Sequence, residues 1–206
     1  MITETEVKRI LVQNFKFDVQ KIKKLDNFVK NLLIYNKKRN LIAKSTEKNV
    51  WDRHILDSVQ LIKFIDTKNC TGIADLGSGA GFPGIILALY YQNYNFHVKL
   101  YEKSPVKRSF LNDIQKISKF DIEKNVYDYN LIKTDYIVCR AFKKLDLILD
   151  ISREKVKNPH KLIILKGKNA LNDLKKLPKD QKYSYKTEDS VTDKDSKIII
   201  ATKNGK

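Results

Sequence analysis

Asp75-Leu-Gly-Ser-Gly-Ala-Gly-Phe-Pro-Gly84 places four glycines and a proline in ten positions, directly after the apolar pair Ile73-Ala74. Such a stretch at the end of a strand and before a helix is where an open α/β sheet binds its ligand, beyond the carboxyl ends of its strands. Glycine admits backbone conformations closed to other residues and lets a ligand approach the main chain, while a proline suits the start of the following helix. Gly79, Gly81 and Gly84 also match the dinucleotide pattern G-x-G-x-x-G, so a nicotinamide-dependent oxidoreductase is one reading of the loop. Asp75 argues for another. A carboxylate beside the glycines repels a pyrophosphate but suits an amine or a sulfonium, and S-adenosylmethionine carries both cations and no phosphate.

Working outward, short apolar runs alternate with helix-like stretches. The runs are 72–76, 96–102, 121–127, 135–141, 161–167, 182–188 and 197–203, with crossover helices expected at 83–93, 105–118 and 143–157. Alternation of this kind implies a mostly parallel sheet with helices on both faces. The last two runs are too close for a crossover helix, so the chain should end in an antiparallel hairpin.

Residues 1–66 read as a helical cap and 67–206 as the ligand-binding domain. In the cap, Val7, Ile10 and Leu11, then Val19, Ile22, Leu25, Phe28, Val29, Leu32 and Leu33, recur at helical spacing. Lys37, Lys38 and Arg39 break the pattern and are placed in a turn. A third helix is expected after Ser45 as N-cap, with Val50, Trp51, His54, Ile55, Ser58, Leu61, Ile62 and Ile65 on one face.

The 206 residues carry 41 Lys and Arg against 24 Asp and Glu, a formal charge of +17. That balance suits a nucleic-acid partner, although Lys is spread through every segment, as a coding bias would also spread it. Cys70 and Cys139 form no CxxC pair and the three histidines stand far apart, so neither a disulfide framework nor a metal site is expected. No apolar run reaches the roughly 18 to 20 residues of a membrane span, and the N-terminus lacks the apolar core of a secretion signal. A cytoplasmic monomer without membrane attachment is the expectation.

Glu102, 25 positions after Gly77 and ending the second apolar run, is placed to accept hydrogen bonds from a ribose diol. Tyr127 and Asp128 follow the third run, where they could meet an adenine. Arg140 and Lys166 sit at strand ends, able to hold a carboxylate or a phosphate, with Arg140 preferred for its planar fork. His54 and Asp57, three apart in the cap, are candidates for shaping a pocket. Lys103, Lys107 and Arg108 add positive charge beside the loop, and with Lys37, Lys38 and Arg39 form the expected surface for nucleic-acid phosphates.

Several blocks together resemble one family, the bacterial glucose-inhibited division protein B family of 16S ribosomal RNA guanine-N7 methyltransferases. They are Asn40-Leu-Ile-Ala43, Arg53-His-Ile-Leu-Asp-Ser58, the glycine loop with its Phe-Pro-Gly end, Glu102-Lys-Ser-Pro-Val-Lys-Arg-Ser-Phe-Leu111, Arg140-Ala-Phe142 and Leu165-Lys-Gly167. The likeness covers roughly residues 20 to 170. It implies a Rossmann-like, seven-stranded class I methyltransferase sheet with an N-terminal cap and an antiparallel last strand. It also implies S-adenosyl-L-methionine as cofactor and small-subunit ribosomal RNA, or the 30S subunit, as partner. Carried across, Gly77 and Phe82 would contact the cofactor, Tyr127 and Asp128 would frame its adenine and Arg140 would lie at its edge; with Asp75, Ser78, Gly79, Gly81 and Glu102 from the loop and strand-end reading, these are the expected cofactor residues. Cys139 stands where a serine is usual, and Val126 where an arginine is expected. A non-catalytic RNA-binding or ribosome-assembly factor on the same fold is the remaining alternative.

Overall fold

The computed structural model describes residues 2–177 and 182–203. Seven strands form one sheet: β1 (Gly72–Leu76), β2 (His97–Tyr101), β3 (Asp121–Glu123), β4 (Tyr136–Arg140), β5 (His160–Lys166), β6 (Tyr183–Asp189) and β7 (Lys197–Lys203). Their order across the sheet is β3-β2-β1-β4-β5-β7-β6. β1 pairs in parallel with both β2 and β4, and β4 in parallel with β5, while β7 runs antiparallel between β5 and β6. Each expected strand is present, and the order reverses between β2-β1 and β4, the position at which such sheets bind ligands.

The central strands are apolar on both faces because both are covered. Alternate residues go to opposite cores: Ile73, Val138 and Ile163 to one, Ala74, Ile137, Cys139, Leu162 and Ile164 to the other. The first core holds α4 (Gly84–Tyr90) and α5 (Pro105–Asp113), together with everything the N-terminal helices bury. The second holds α6 (Leu145–Lys155) and Ala170 of α7 (Ala170–Lys175). Residues 2–66 therefore contribute a helical layer that shares its core with the sheet. Cys70 and Cys139 are both buried free thiols.

Within that layer, α1 (Glu4–Phe15) opens with a capping box between Thr3 and Glu6, and α2 (Val19–Arg39) is capped by Asp18, whose carboxylate accepts from Lys21 N at 2.7 Å. A wound run follows: a 3-10 turn (Lys44–Asn49), a π turn (Trp51–Leu56), one α-turn, α3 (Asp57–Val59), and a second 3-10 turn (Gln60–Phe64).

Several expectations need correction. Lys37, Lys38 and Arg39 form the last turn of α2 and not the turn between two helices; cations suit the negative end of a helix, and Asn40 in the left-handed conformation (φ 45) is what stops it. Val19 belongs to no apolar face: as the first helical residue it is 83% exposed. Ser45 caps nothing, because the turn begins one residue earlier with Ala43 as its cap residue. The third strand stops at Glu123, and Val126–Asp128 instead wind into a 3-10 turn behind Asn125, whose side chain accepts from Tyr127 N. α7 was not anticipated.

Candidate functional site

The glycine loop is closed by its own chain at three of its four glycines. Gly84 opens α4, and a Cβ there would lie 2.6 Å from Asp75 Oδ2 and overlap Leu100. Gly81 packs against Ile85 and Leu111, and the Phe142 ring covers Gly77. Gly79 differs. At φ 59 it needs the left-handed region, and the nearest atoms to a Cβ there are Gly77 O at 3.9 Å and Lys107 Nζ at 4.0 Å. Bare backbone is thus presented outward at this one position of the loop.

Asp75 is expected against a cationic ligand, and here the structure corrects the reading. Its carboxylate has 0% exposure; Oδ2 accepts from Gly84 N at 2.9 Å and ties the two ends of the loop together, while Oδ1 is buried without a partner. Burial pushes this carboxyl up to about 7, with the Gly84 hydrogen bond and the Arg140 charge pulling the other way. Ser78 is likewise internal, its hydroxyl donating to Asp75 O at 3.0 Å. Phe82, also expected on the cofactor, has a ring 2% exposed that packs on Phe28 (5.3 Å between centroids) and stacks on His54 (5.0 Å). Only its main chain remains for such a contact.

Glu102 sits where the sequence puts it, just past the end of β2. Its Oε2 accepts from Gly79 N and its Oε1 from Ser104 N, both at 2.8 Å, so the buried carboxylate is fixed at the half-buried glycine while each oxygen keeps a second lone pair. Tyr127 (42% exposed) and Asp128 lie open beyond β3.

Next to this shelf, beyond the ends of β4 and β5, lies a cavity of about 560 Å³. It brings together His54, Asp57, Arg140 and Lys166, the residues set apart for a pocket or an anion, and adds Thr46, Arg53, Lys168 and Thr192, which sequence reasoning missed. Arg53 stood within a quoted block. Thr192 lies in the β6–β7 loop, 135 residues from its partner Asp57, and no local signal reaches that far.

Arg140 is expected at a cofactor carboxylate, but its guanidinium turns to the helical layer. Nη1 donates to Arg53 O at 3.0 Å and meets Asp57 Oδ2 at 3.5 Å, and the group lies 5.1 Å from the Phe82 ring. Asp57 accepts from Gln60 Nε2 at 2.8 Å and Thr192 Oγ1 at 2.9 Å; burial raises its pKa, opposed by Arg140 and Thr192. Gln60 and Arg53 bind the same β6–β7 loop through Val191 N (3.0 Å) and Asp193 (3.1 Å). The helical layer and the hairpin loop thus make one wall.

His54 is held neutral, its pKa lowered to about 3 by burial and then by Arg140 and Arg53. Thr46 Oγ1 donates to Ala43 O at 2.8 Å, so at its 2.8 Å contact with His54 it must accept, which puts the ring proton on Nε2. Lys166 is paired with Asp173 at 2.8 Å, and Lys168 at the cavity mouth is exposed.

The two expected cationic groups come together. Arg39 donates to Ser109 (3.3 Å) on α5, the helix that carries Lys107 and Arg108, and Arg108 braces the loop by donating to Glu102 O (2.8 Å) and Lys103 O (2.7 Å). Lys37, Lys38 and Lys103 are left exposed. Among the described residues no group of three His, Cys, Asp or Glu could hold a metal, and no helix is long and apolar enough to cross a membrane.

The family model of rRNA small subunit methyltransferase G, GidB, matches residues 21–200. The chain belongs to this family. A ribosomal RNA small subunit methyltransferase G from Pelagibacter ubique is 34% identical over 196 residues, 92% of each chain. One from Rickettsia felis is 36% identical over 180 residues, covering 86% of this chain and 91% of the relative. Solved structures share the fold at low identity. An RNA methyltransferase from Salinibacter ruber in complex with S-adenosyl-L-homocysteine aligns over 72% of this chain and 91% of its own (TM-score 0.52, 11% identity). An MtNAS mutant in complex with S-adenosylmethionine aligns over 99% and 85% (TM-score 0.57, 12% identity). Membership in a methyltransferase family sets aside the nicotinamide reading of Gly79, Gly81 and Gly84.

Proposed function

We propose that the chain transfers a methyl group from S-adenosylmethionine to N7 of a guanine in small-subunit ribosomal RNA. The observation that carries this reading is the adjacency of two unlike sites at the carboxyl ends of the strands: an outward glycine backbone fixed to a carboxylate, and a cavity of about 560 Å³ with a cationic rim.

The donor set fits the cofactor. Glu102 retains lone pairs for a ribose diol, Gly79 lets the ligand meet the main chain, and Tyr127 and Asp128 would stand at the adenine end. When bound, the cofactor supplies an electrophilic methyl on a sulfonium. Guanine N7 carries an in-plane lone pair, so no general base has to remove a proton first. The chain's task is then to hold the base in line, an effect valued at roughly 7–11 kcal/mol in well-oriented systems.

Two groups in the cavity leave the positive charge that develops on the ring unopposed. His54 is held neutral, and the Arg140 charge is met by Asp57, so neither opposes it. The base has to leave its stack to enter the cavity. Lys37, Lys38, Lys103 and Lys168 would meet phosphates around the mouth. Action as a cytoplasmic monomer completes the reading.

The test is transfer of labelled methyl to small subunits lacking the modification, with naked RNA and large subunits in parallel and nucleoside mass spectrometry of the product. 7-Methylguanosine confined to small-subunit RNA is expected. Label in another nucleoside would overturn the base assignment, and RNA binding without label or cofactor binding would favour the non-catalytic assembly factor.

A further inference from the structure

Two aromatic rings on separate elements face a single ammonium at the edge of the glycine loop. Lys143 Nζ lies 5.7 Å from the centroid of the Phe142 ring and 5.5 Å from that of Tyr127. Both distances fall inside the roughly 6 Å within which a ring face attracts a cation. The chain turns sharply after β4, with Ala141 in the left-handed conformation at φ 49, and the next residue lays its ring on Gly77. A methyl there would overlap Phe142 Cδ2 and come within 3.0 Å of Cγ and 3.1 Å of Cε2.

These rings differ from Phe82, which also faces a cation. Phe82 is 2% exposed and shut between His54, Phe28 and Arg140, so no ligand reaches it. Phe142 is half-buried and Tyr127 is 42% exposed, and their cation is carried on a flexible lysine stem. Ala141 and Arg140, immediately before Phe142, line the base cavity. Phe142 therefore stands on the boundary between the glycine loop and that cavity, which is where a transferable methyl must lie.

Aromatic faces select cations that have no hydrogen-bond donors, as in cages for quaternary ammonium groups. A sulfonium is such a cation. We propose that Phe142 is the wall that selects the sulfonium of the methyl donor, and that Lys143 is the internal cation covering Phe142 and Tyr127 until the donor displaces it. This inference rests on the methyl-donor reading above and extends it to a residue outside the glycine loop.

Transfer breaks the bond between sulfur and methyl, with its electron pair remaining on sulfur, and the N7 lone pair forms the new bond to carbon. The positive charge passes from sulfur to the guanine ring, so the product S-adenosylhomocysteine has a neutral thioether where the donor gives Phe142 a sulfonium. A wall of this kind makes the chain prefer donor over product, and the preference depends on the ring.

Calorimetry of the full chain with S-adenosylmethionine and S-adenosylhomocysteine tests this without any turnover. The ratio of the two dissociation constants is the readout. Phe142→Leu, which keeps apolar bulk but removes the ring face, should shift that ratio against the donor by about fivefold, the equivalent of about 1 kcal/mol of cation attraction. Phe142→Tyr should keep the wild-type ratio. Lys143→Gln, at a partly exposed position that should not disturb folding, should bind the donor more tightly.

An unchanged ratio in Phe142→Leu overturns the selecting wall, and donor affinity unchanged or weakened in Lys143→Gln overturns the internal cation. If the wild-type chain binds neither ligand, the methyl-donor reading itself fails, an outcome distinct from both.

Discussion

Gly84→Ala gives a sharp test of how the glycine loop is built. An added Cβ would fall 2.6 Å from Asp75 Oδ2 and 3.0 Å from Asp75 Cβ and would overlap Leu100, against the 3.5–4.0 Å at which carbon atoms pack well. Asp75 is on β1 and Leu100 on β2, both inside the sheet, so the helix has to give way. Lifting α4 breaks the bond from Gly84 N to Asp75, and a wholly buried carboxylate then loses the main-chain donor that holds it. Overpacking costs about 1–3 kcal/mol and loss of a hydrogen bond to a charged group about 1.5–3, so a total near 4 kcal/mol is expected. For a chain of this size that lowers Tm by on the order of 10 °C. The single tryptophan, Trp51, is buried in the same core and reports unfolding by fluorescence during a urea titration. Gly79→Ala is the control: it has room, and its cost is about 1–2 kcal/mol for a left-handed alanine. A Gly84→Ala chain within about 1 kcal/mol of wild type, or one more stable than Gly79→Ala, would refute the view that Gly84 is there for packing and Gly79 for the ligand.

Three further outcomes follow from the geometry. His54 has a folded-state pKa of about 3, below its ordinary 6.5, so its contribution to stability is complete above 6.5 and is lost as pH falls toward 3. At its steepest the loss is about 1.4 kcal/mol per pH unit. Denaturant titrations across that window should show the slope in the wild-type chain and a smaller one in His54→Gln. Asp57→Ala removes the carboxylate that faces Arg140 and should destabilise by about 3–5 kcal/mol; adding Arg140→Met should recover part of the loss, visible as a non-additive double-mutant cycle in urea. RNA affinity should fall linearly in log salt, and replacing Lys37 and Lys38 together by alanine should flatten that slope while leaving calorimetric binding of S-adenosylmethionine unchanged.

The sheet was legible in the sequence because its strands are covered on both faces. Runs such as GIADL and LIIL (162–165) are apolar or nearly so, and helices fill most of the intervals between the parallel strands, which leaves few competing readings. Legibility faded where hydrogen bonds outside the ladder decide the backbone. β3 keeps three residues because Asn125 caps the 3-10 turn that follows, and α2 outlasts its apolar stripe because its last turn is cationic.

The candidate site divides along a related line. Glu102 and Gly79 are set by strand ends and loop geometry, and the sequence placed both correctly in the fold. Asp75, Phe82 and Arg140 occupy expected positions, yet their side chains are claimed by Gly84, Phe28 and Asp57, partners that a motif does not specify. The cavity was the least legible part, since its walls come from the helical layer, the ends of β4 and β5, and the β6–β7 loop. Thr192 meets Asp57 across the fold, from the loop that joins β6 to β7, with β7 lying between β5 and β6. The proposed transfer relies on alignment and uses no acid or base, so it needs walls fixed relative to one another, and the hydrogen bonds of Arg53, Asp57 and Gln60 to the β6–β7 loop provide that fixation.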